Sequence, residues 1–563
     1  MDNDQIADAF SLLGKLMDIN GENSFKAKSY SIAAFNIEKL PISLKNTPPE
    51  KIFGIKGIGE STGKKIIELL DTGSLNALQQ MVEKTPPGVI EMLNIKGIGP
   101  KKINTIWKEM EIESVGELLY ACRENRLKLY KGFGEKTQQN VIDTIEFYLH
   151  NQGSYLYPQV ELVEPQVTAY LEKLFAPENI CLTGNFRRRL YIIDELEYIV
   201  QFTNEEIIPK FKSLRPPELL EEKPGSLLYK LLNGLKLRLY TGPGEMTKKL
   251  FLTTGSADFI EAFCNLFVHA LAEQGDQHDD KEIFTKAGIT AIPAYARESA
   301  EVIERARTAP LPEPVQVDDI KGIIHSHSNW SDGGNTIEEM AVGAIAKGFE
   351  YLVISDHSKS AFYAQGLSEE KISAQQDYID ELNAKYHPFR IFKSIECDIL
   401  YDGSLDYSNG ILSTFDLVIA SVHSNLKMTE EKAMTRLLSA IENPYTTILG
   451  HMTGRLLLSR KGYPVDHKRI IDACATNRVV IELNAHPSRL DIDWQHIAYA
   501  LEKEVLISIN PDAHSINGFD DIRFGVMAAQ KALLCSQNNL SSMGVKEFSE
   551  FLQERKKIKG LLS

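Results

Sequence analysis

The sequence contains few cysteines and no long hydrophobic run. Its six cysteines are far apart and form no Cys-x-x-Cys pair, which disfavours a disulfide framework and predicts a reduced, cytoplasmic protein. No run of about 18 apolar residues occurs, so no membrane span or membrane partner is expected. The first residues, MDNDQIADAF, are acidic and lack the basic and apolar regions of a signal peptide.

The charge is negative overall but unevenly distributed. The formal net charge is −15, and a strongly acidic protein is a poor general binder of polyanions. Residues 1–150, however, carry 19 Lys and Arg against 20 Asp and Glu. Local lysines and backbone amides could therefore still bind nucleic acid there. The length of 563 residues suggests three or four domains at about 150 residues each.

A glycine-rich segment recurs in the helical first quarter of the chain. IADAFSLLGKLMDI and STGKKIIELLDTG have apolar residues at helical spacing, and Gly73 is expected to end the second helix. GIKGIGESTGKKI at 54–66 and NIKGIGPKKINTI at 94–106 are near copies, and LYKGFGEKTQQNVI at 129–142 is a looser third copy. Each copy predicts a helix, a Gly-x-Gly turn and a second helix.

These repeats predict phosphate binding. Glycine turns expose backbone N–H groups at a helix N-terminus, an arrangement that accepts a phosphate. A single copy would suit an ordinary helix–helix turn, but three copies with basic followers favour DNA. They resemble the helix-hairpin-helix motif, which binds the DNA backbone without reading sequence. The glycines and lysines concerned are Gly57, Gly59, Lys64, Lys65, Gly97, Gly99, Lys101, Lys102, Gly132, Gly134 and Lys136.

The middle of the chain mixes strands and helices. RLYIIDELEYIV, LKLRLYTG and KLFLTTG are predicted strands between residues 155 and 310. GNFRRRLYIIDELEYIV has the outline of a nucleotidyltransferase signature, with a turn at Gly184 followed by Arg187 and Arg188. Its acidic pair is Glu195 and Glu197, where that chemistry usually places aspartates. The proline-rich segment 307–319 then predicts an extended linker.

Histidines concentrate after this linker, where short apolar runs alternate with helical segments. Ten of the 13 histidines lie between residues 321 and 520. Alternating strands and helices predict a parallel sheet, closed as a barrel, with its active site at the C-terminal strand ends. Isolated core histidines would not be expected at one strand end after another. The strand-end candidates for metal ligands are His325, His327, Asp332, His357, Glu396, His423, His451, Asp512 and His514.

This ligand set predicts phosphoester hydrolysis. Mixed histidine and carboxylate ligands suit zinc, manganese or iron, and nine candidates imply two or three divalent ions. Several ions together can activate a bound water and hold phosphate oxygens. His486, which follows another apolar run, is interpreted as a pocket-wall residue.

Six segments of this half resemble the PHP (polymerase and histidinol phosphatase) domain over about 240 residues. The resemblance implies a distorted (β/α)7 barrel with a trinuclear site made by the nine residues above, with Glu396 bridging ions. It also implies manganese- or zinc-dependent release of phosphate or cleavage of phosphodiesters. The segments are HSHSNWSDG, ISDHS, ASVHSNL, GHMTGR, ELNAHPSRLD and PDAHS.

The entire chain is similar to bacterial family X DNA polymerases with a C-terminal PHP domain. That family implies 3′–5′ exonuclease activity, with abasic-site endonuclease or 3′-phosphatase activity, in base excision repair of gapped, recessed or abasic DNA. The multidomain α/β architecture would comprise an eight-kilodalton-like helical domain (1–82), a fingers-like helical domain (83–152), a nucleotidyltransferase-like α+β palm (153–232), a thumb-like domain (233–306), the linker (307–319) and the PHP domain (320–563).

The palm departs from the family pattern. Asn185 stands where the family has serine, and Arg238 stands at the expected third aspartate, although TTGS at 253–256 resembles the thumb-side turn. Two-metal polymerisation needs carboxylates at fixed reach, and a misplacement of about 1 Å can cost about a hundredfold. We therefore predict an inactive polymerase site, with magnesium bound only if the site works. Asp194 could serve as a ligand in a shifted alignment.

Two arginines and a tryptophan near the predicted barrel site have two interpretations each. Arg455 and Arg489 are candidates to hold a phosphate, because guanidinium binds phosphate bidentately, or they form structural salt bridges on the barrel rim. Trp330 could stack on a base or pack at the rim. Arg187 and Arg188 could keep a DNA-contact role after loss of polymerisation.

Three functions are compatible with these features. The first is a DNA-repair exonuclease or phosphodiesterase on an inactive polymerase-like scaffold. The second is an active gap-filling polymerase with a PHP exonuclease. The third is a small-molecule phosphatase of the PHP type, which the hairpin repeats disfavour.

Overall fold

The computed structural model consists of two compact units, Met1–Tyr148 and Leu149–Ser563. Each unit buries its own apolar residues. Among the described residues, no helix combines the length and the hydropathy needed to cross a bilayer. The description covers residues 1–563 apart from 2, 39, 41, 56, 57, 96, 150–152, 212–216, 273–277 and 563.

The first unit is helical, as predicted. IADAFSLLGKLMDI forms most of its first helix, and Gly73, in a left-handed conformation with φ 71°, ends the fourth. The first two helices pack together, with the rings of Phe10 and Tyr30 5.9 Å apart. The helices are α1 (Asn3–Ile19), α2 (Ser24–Glu38), α3 (Pro49–Ile52), α4 (Glu60–Thr72), α5 (Asn76–Lys84), α6 (Pro87–Glu91), α7 (Pro100–Lys108), α8 (Val115–Arg123) and α9 (Glu135–Leu149).

The second unit begins with a five-stranded sheet in the order β2-β4-β7-β6-β5, in which only β4 and β7 pair in parallel. A separate antiparallel pair is formed by β1 and β3. The strands of this part of the second unit are β1 (Tyr155–Leu156), β2 (Ile180–Thr183), β3 (Ile192–Ile193), β4 (Glu195–Val200), β5 (Glu218–Lys223), β6 (Ser226–Lys230) and β7 (Lys236–Thr241). Its helices are α10 (Tyr157–Glu161), α11 (Glu164–Phe175), α12 (Gly184–Arg187), α13 (Asn204–Lys210), α14 (Met246–Thr254), α15 (Ala257–Phe267), α16 (Lys281–Ala287) and α17 (Ala300–Thr308).

One of the three predicted strands in this region is wrong. RLYIIDELEYIV contains β3 and β4, and LKLRLYTG contains β7, as expected. KLFLTTG instead lies in α14. Met246, Leu250 and Phe251 are fully buried on one side of this helix, a spacing of four and five residues that matches the helical period. The short apolar run was compatible with either period.

The seven predicted C-terminal strands form one parallel sheet in the order β14-β13-β12-β11-β10-β9-β8. Its first and last strands approach through a parallel bridge between Ser326 and Ala513, so the barrel is nearly closed, as predicted. The strands are β8 (Gly322–Ser326), β9 (Tyr351–Ile354), β10 (Arg390–Asp398), β11 (Leu417–Ser421), β12 (Thr446–Leu449), β13 (Val480–Asn484) and β14 (Ile507–Asn510).

Eight helices accompany the barrel strands, and the last of them packs against residues of the barrel interior. Phe548 on this helix stacks on Tyr351 of β9, with ring centroids 4.7 Å apart, and lies against Phe392 of β10. The helices are α18 (Ile337–Ala346), α19 (Glu369–Tyr386), α20 (Asn409–Leu412), α21 (Glu430–Glu442), α22 (His467–Asn477), α23 (Ile497–Glu502), α24 (Ile522–Lys531) and α25 (Val545–Ile558).

The proline-rich segment between α17 and β8 is extended but attached to the barrel. Residues 309–316 have no regular secondary structure. Val315 is fully buried, and its N–H donates to the Leu534 carbonyl at 2.8 Å. This segment therefore follows the barrel surface.

Candidate metal centre

Side chains at the C-terminal ends of six barrel strands meet in one buried cluster. His325 lies in β8 and Glu396 in β10, while the other candidates follow β8, β9, β11, β12 and β14 within a few residues. Parallel strands end at the same edge of a barrel, which brings these side chains together. The structure thus assembles all nine residues singled out in the sequence. Their role as metal ligands stays a prediction.

Eight of the nine form three overlapping groups, each with ligand atoms within 4.8 Å of one another. His327 belongs to the first and second groups, His357 to the first and third, and Glu396 to the second and third. Such sharing suits three neighbouring ions. The groups are His327, Asp332, His357 and His514; His325, His327, Glu396 and Asp512; and His357, Glu396 and His423.

Glu396 lies at the centre of the cluster. Its Oε1 is 3.1 Å from His423 Nε2 and 2.9 Å from His451 Nε2, and its Oε2 is 3.0 Å from His357 Nδ1. Burial alone would raise the pKa of this carboxyl, but His423 and His325 hold it well below its ordinary value. An ionised carboxylate with both oxygens facing imidazoles is suited to bridging two cations.

Several buried polar atoms of the cluster are available to bind a metal ion. The Nε2 atoms of His325 and His423 and the Oε2 of Glu396 are buried without a well-formed hydrogen bond among the described residues, whereas buried polar atoms normally have one. Burial, reinforced by His514 and His357, lowers the pKa of His327 to about 3. This favours the neutral, metal-coordinating form at His327, whereas nearby carboxylates outweigh burial and raise the pKa values of His325, His357 and His423. The nitrogen and oxygen donors suit zinc, manganese or iron.

Glu482 is the main residue that the sequence reasoning missed. It is fully buried on β13, 2.6 Å from His325 Nδ1 through Oε1. Its two oxygens also accept the His451 N–H at 2.7 Å and the Asn510 amide at 2.8 Å. Carboxylates behind ligand histidines fix their orientation. Its sequence signal was the Glu-x-Asn alternation on β13, which places Glu482 and Asn484 on one face.

Two aspartates complete this outer layer. Asp398 forms a very short hydrogen bond with His423 Nδ1, and it shares a strand face with Glu396, two residues away. Asp356, next to His357 in the chain, accepts the Ser328 N–H at 2.8 Å and the Gln375 amide at 2.7 Å. Both aspartates hold the loops that carry the candidate ligands.

The two rim arginines differ in their surroundings. Arg455 donates to Asp493 at 2.6 Å, to the Arg489 carbonyl at 2.9 Å and to the Leu490 carbonyl, which favours the structural salt bridge over phosphate binding. Arg489 is nearly buried, with its Nε 3.8 Å from Asp512 Oδ2. It therefore borders the cluster directly.

The two other side chains at this end of the barrel match the simpler interpretations. Trp330 is partly buried against the barrel core, as rim packing requires. His486 accepts the Ser488 N–H through Nδ1 at 3.2 Å and belongs to none of the three ligand groups. Its interpretation as a wall residue is compatible with this position.

The palm-like site has a different chemistry. Glu197 is buried, and its oxygens accept the Asn185 N–H at 2.9 Å and the Tyr240 hydroxyl at 2.8 Å. Burial raises the pKa of this carboxyl despite those hydrogen bonds. Gly184 has φ 68°, and a Cβ there would come within 2.1 Å of the Glu197 carboxylate. The Gly184 turn is thus packed directly against Glu197.

Arg238 occupies the space beside both glutamates. The parallel register of β4 and β7 pairs Glu197 with Arg238. The Nε of Arg238 donates to Glu195 at 2.5 Å and its Nη2 donates to the second oxygen at 3.1 Å. Hydrogen bonding to Glu195 raises the pKa of this guanidinium. The adjoining cleft, of about 550 Å³, also contains Asp194, which accepts the Ser154 hydroxyl at 2.6 Å.

The neighbouring arginines are engaged within the chain. Arg187 donates to Thr254 at 2.6 Å and to Asp280 at 3.0 Å. Arg188 donates to the Asn185 side chain at 3.2 Å and lies 3.4 Å from Glu298. These guanidinium groups fasten the Gly184 turn to α14 and to the segments around α16 and α17. These contacts lie within the chain and do not by themselves indicate the DNA-contact role suggested for Arg187 and Arg188.

The TTGS segment forms the turn between α14 and α15. Thr253 lies 2.6 Å from the Thr183 hydroxyl of β2. Ser256 caps α15 by accepting the Phe259 N–H at 3.1 Å. The segment therefore joins the sheet to the following helices, and its likeness to a thumb-side turn stays a prediction.

The three hairpin copies in the first unit share one backbone pattern. Gly59, Gly99 and Gly134 each precede a helix, and their carbonyls accept N–H groups four residues on at 2.8–3.0 Å. Gly97 and Gly132 both have φ 92°, a conformation that favours glycine. Apart from adjoining residues of the chain, no described atom lies within 4 Å of the Cβ position of any of these five glycines, so the described parts of the turns leave room for a ligand. Gly57 lies outside the described residues.

The lysines after these turns are in varied environments. Lys64 pairs with Glu60 at 2.7 Å. Lys65 lies over the Tyr30 ring and Lys102 over the Phe133 ring, at 5.8 and 5.3 Å from the ring centroids. Lys101 and Lys136 are exposed. The exposed lysines are the better placed to meet a phosphate backbone.

Comparison with protein families gives three matches along the chain. Residues 1–75 match a helix-hairpin-helix domain, residues 89–146 match a SAM-like helix-hairpin-helix tandem, and residues 324–486 match the PHP domain. The matched ranges contain the three glycine turns and most of the candidate ligands.

Curated relatives cover the chain to different extents. The chain is 30% identical to the DNA polymerase/3′-5′ exonuclease PolX of Bacillus subtilis over 95% of its own length and 97% of that protein. It is 26% identical to a probable phosphatase of Thermoanaerobacter sp. over 42% of its own length and 97% of the relative. A probable phosphatase of Acetivibrio thermocellus is 27% identical over 30% of the chain and 67% of the relative.

Proposed function

The chain belongs to the bacterial family X DNA polymerases with a C-terminal PHP domain, and we propose that it is a DNA-repair 3′–5′ exonuclease whose polymerase site is inactive. The phosphodiester is cleaved at the barrel cluster. Abasic-site incision hydrolyses a phosphodiester within the strand and removal of a 3′-phosphate hydrolyses a phosphomonoester at its end; both need water to attack phosphorus, and we include them in the proposal. The substrates are gapped, recessed or abasic DNA, met in the cytoplasm.

The contrast between Arg238 and Glu396 carries this proposal. Arg238 donates to Glu195 and lies opposite Glu197 in the strand register, so its guanidinium would oppose a metal bound by these glutamates. Glu396 instead faces several imidazoles whose ring nitrogens point inward. Such a protein could bind metal ions in the barrel, whereas in the palm the Arg238 guanidinium supplies the positive charge.

We assign the chemistry to the barrel residues as follows. Two or three divalent cations, manganese or zinc or iron, would supply an activated water and neutralise phosphate oxygens. Glu396 and the eight other candidate ligands around it would hold these ions. Glu482 and Asp398 keep His325 and His423 in the orientation that presents Nε2 to the cluster. Arg489, beside Asp512, is placed to meet a substrate phosphate.

We assign DNA binding to the first unit. Its open glycine turns at the N-termini of α4, α7 and α9 support contacts with the DNA backbone. Lys101 and Lys136 would add charge to the second and third turns. The acidic barrel unit would then depend on the first unit to bring DNA to it.

Parallel nuclease and polymerase assays test the proposal. The full chain is given labelled gapped DNA with manganese, and separately with nucleotides and magnesium or manganese. Shortening of the 3′ end without extension is expected, and Asp512→Asn and His514→Ala should abolish shortening. Shortening that survives in both variants, or extension by the wild type at high enzyme concentration, would refute the proposal.

A small-molecule phosphatase is the second candidate. The probable phosphatase of Thermoanaerobacter sp. matches the chain over nearly its own whole length but over less than half of this chain. The likeness therefore covers only part of this chain. Release of phosphate from histidinol phosphate, without cleavage of any DNA substrate, would favour this candidate.

A further inference from the structure

We propose that Phe362 and Tyr401 form a stacking platform for the bases at the 3′ end of a DNA strand entering the barrel site. This inference rests on the proposed exonuclease function and assigns it a substrate-recognition element. Phe362 is 86% exposed and Tyr401 is 62% exposed. Single exposed aromatics are common on protein surfaces, but these two lie on loops that follow the neighbouring strands β9 and β10.

Both aromatics lie close to the candidate metal centre along the chain. Phe362 follows His357 by five residues, and Tyr401 follows Glu396 by five residues. An extended chain of five residues reaches at most about 17 Å, which is about five stacked nucleotides at 3.4 Å each. Because both loops leave the C-terminal ends of barrel strands, the two rings lie at the same end as the cluster.

The Phe362 loop is anchored at its base and on both sides of its tip. The Leu367 N–H donates to the His357 carbonyl at 2.9 Å and closes the loop at its base. A Cβ on Gly366 would come within 1.8 Å of the Ser358 carbonyl, so the closure is tight. Ala361 and Ala364 on either side of the tip are fully buried. The loop thus buries its small apolar residues and presents its largest one to solvent.

The same loop is attached to the outer layer of the site. Ser360 donates to Asp398 at 2.9 Å through its hydroxyl and to Asp406 at 2.7 Å through its N–H. Asp398 is the aspartate that holds His423. The Lys359 N–H donates to the Tyr407 hydroxyl at 3.0 Å. The position of Phe362 is therefore linked to the site and to the loop that carries Tyr401.

The Tyr401 loop is anchored independently. Arg436, which is fully buried, donates to the Leu400 carbonyl at 3.0 Å and to the Ile399 carbonyl at 2.5 Å. The Lys432 ammonium lies 3.8 Å from the centre of the Tyr401 ring. A rigid aromatic beside a cation suits one nucleotide, since the ring can stack on the base and the ammonium can meet a phosphate.

The choice of DNA as the occupant follows from these chemistries. Stacking on aromatics tolerates any base, as an exonuclease requires when it removes successive nucleotides. Rigid loops also lose little freedom on binding. A second copy of the chain on the same aromatics is the alternative occupant. It predicts that Phe362→Ala changes the sedimentation coefficient of the free protein, and that result would overturn the proposal.

The test compares substrates with and without single bases. Oligonucleotides carry a tetrahydrofuran residue at one of the first few positions from the 3′ end, and the manganese-loaded full chain degrades them. Loss of the base at one position should raise the wild-type KM about tenfold. Phe362→Ala should raise KM on intact DNA by the same factor and add nothing on that altered substrate, and Phe362→Trp should restore the wild-type pattern. Tyr401→Ala should do the same at a neighbouring position.

Leu162→Ala is the matched control, because Leu162 is 77% exposed but lies on the segment before the five-stranded sheet. It should keep the wild-type ratio between intact and altered substrates. A Phe362→Ala protein that keeps this ratio would overturn the platform while leaving the exonuclease function intact.

A binding measurement separates the two proposals if cleavage fails. The 3′ end carries 2-aminopurine at successive positions, and its fluorescence is followed in chelator. Quenching at one position that disappears in Phe362→Ala and returns in Phe362→Trp would support the platform even for a protein that cuts no DNA. Quenching unaffected by either substitution would reject it.

Discussion

Two carboxylate clusters in the second unit have basic partners of different kinds. In the palm, the acidic side chains of Glu195 and Glu197 receive donors from the chain itself: Arg238, the Asn185 N–H and the Tyr240 hydroxyl. In the barrel, the carboxylates face imidazoles, and the buried Nε2 atoms of His325 and His423 have no well-formed hydrogen bond within the part of the chain that the structure describes. The palm carboxylates are paired with donors of the chain, whereas the barrel cluster groups ligand atoms that could hold metal ions.

The difference depends on the nature of the basic partner. A guanidinium stays protonated at all ordinary pH values and has no lone pair for a metal. A neutral imidazole has such a lone pair. Substituting an arginine for a metal-binding carboxylate therefore closes a metal site, whereas surrounding a carboxylate with histidines opens one. Each of the following predictions alters one side of this comparison.

The largest effect is expected from the barrel carboxylate. Glu396→Gln should lower the exonuclease rate by at least about a thousandfold, because loss of the shared ligand removes several kcal/mol of metal-derived stabilisation. Manganese per chain, measured by mass spectrometry of the metal content after gel filtration, should fall in the same variant. Glu195→Gln in the palm is the matched control and should leave both values near those of the wild type. An active, fully loaded Glu396→Gln protein would contradict the assignment of the site.

The second prediction concerns nucleotide transfer. The wild type should not extend a primer on gapped DNA, and neither should the single variants Glu195→Asp, Glu197→Asp or Arg238→Asp. Each one leaves a misplaced oxygen or an opposing charge, and a misplacement of about 1 Å costs about a hundredfold. Incorporation of labelled nucleotide is the measurement.

The triple variant, with aspartate at positions 195, 197 and 238, sharpens this test. Any extension in the series should require all three substitutions together. Incorporation by the wild type would show instead that the cleft accepts metals beside Arg238, or that Asp194 supplies a ligand.

A smaller effect is expected from Glu482. Glu482→Leu should weaken manganese binding by about ten- to a hundredfold, as losses of outer carboxylates behind ligand histidines do. The fall should appear in equilibrium titrations with a metal-sensitive dye. Glu502→Leu, on the partly exposed end of α23, provides a carboxylate control away from the cluster. Unchanged metal affinity in Glu482→Leu would assign Glu482 to packing alone.

The sequence allowed the barrel site to be predicted because its residues obey a topological rule. Ligand candidates such as His357 and His451 follow apolar runs directly, and parallel strands bring such positions together. The prediction needed no knowledge of any particular contact. Glu482 was not predicted because it lies before the end of its strand and its partner His325 is 157 residues away.

Long-range pairing also limited what could be inferred for the palm. Arg187 and Arg188 suggested a DNA contact because their partners were invisible in the local pattern. Asp280, which pairs with Arg187, is 93 residues away. The prediction of a strand at KLFLTTG was wrong for a local reason, because a short apolar run fits the period of either a helix or a strand.

The smallest effect tests whether Arg238 really stands in for a cation. Arg238→Ala should lower the free energy of unfolding by about 1 kcal/mol, because the side chains of Arg238 and Glu195 are only about one-fifth exposed and Glu195 loses its partner. The expected fall in Tm is about 2 °C. Millimolar magnesium should restore part of the lost Tm of Arg238→Ala, because the vacated space beside Glu195 and Glu197 can then accept a cation. It should raise the Tm of the wild type by less. Arg523→Ala, which breaks the more exposed pair with Glu161 at 2.7 Å, should change Tm less and show no extra response to magnesium. An equal magnesium response in all three proteins would mean that the guanidinium occupies no potential metal position.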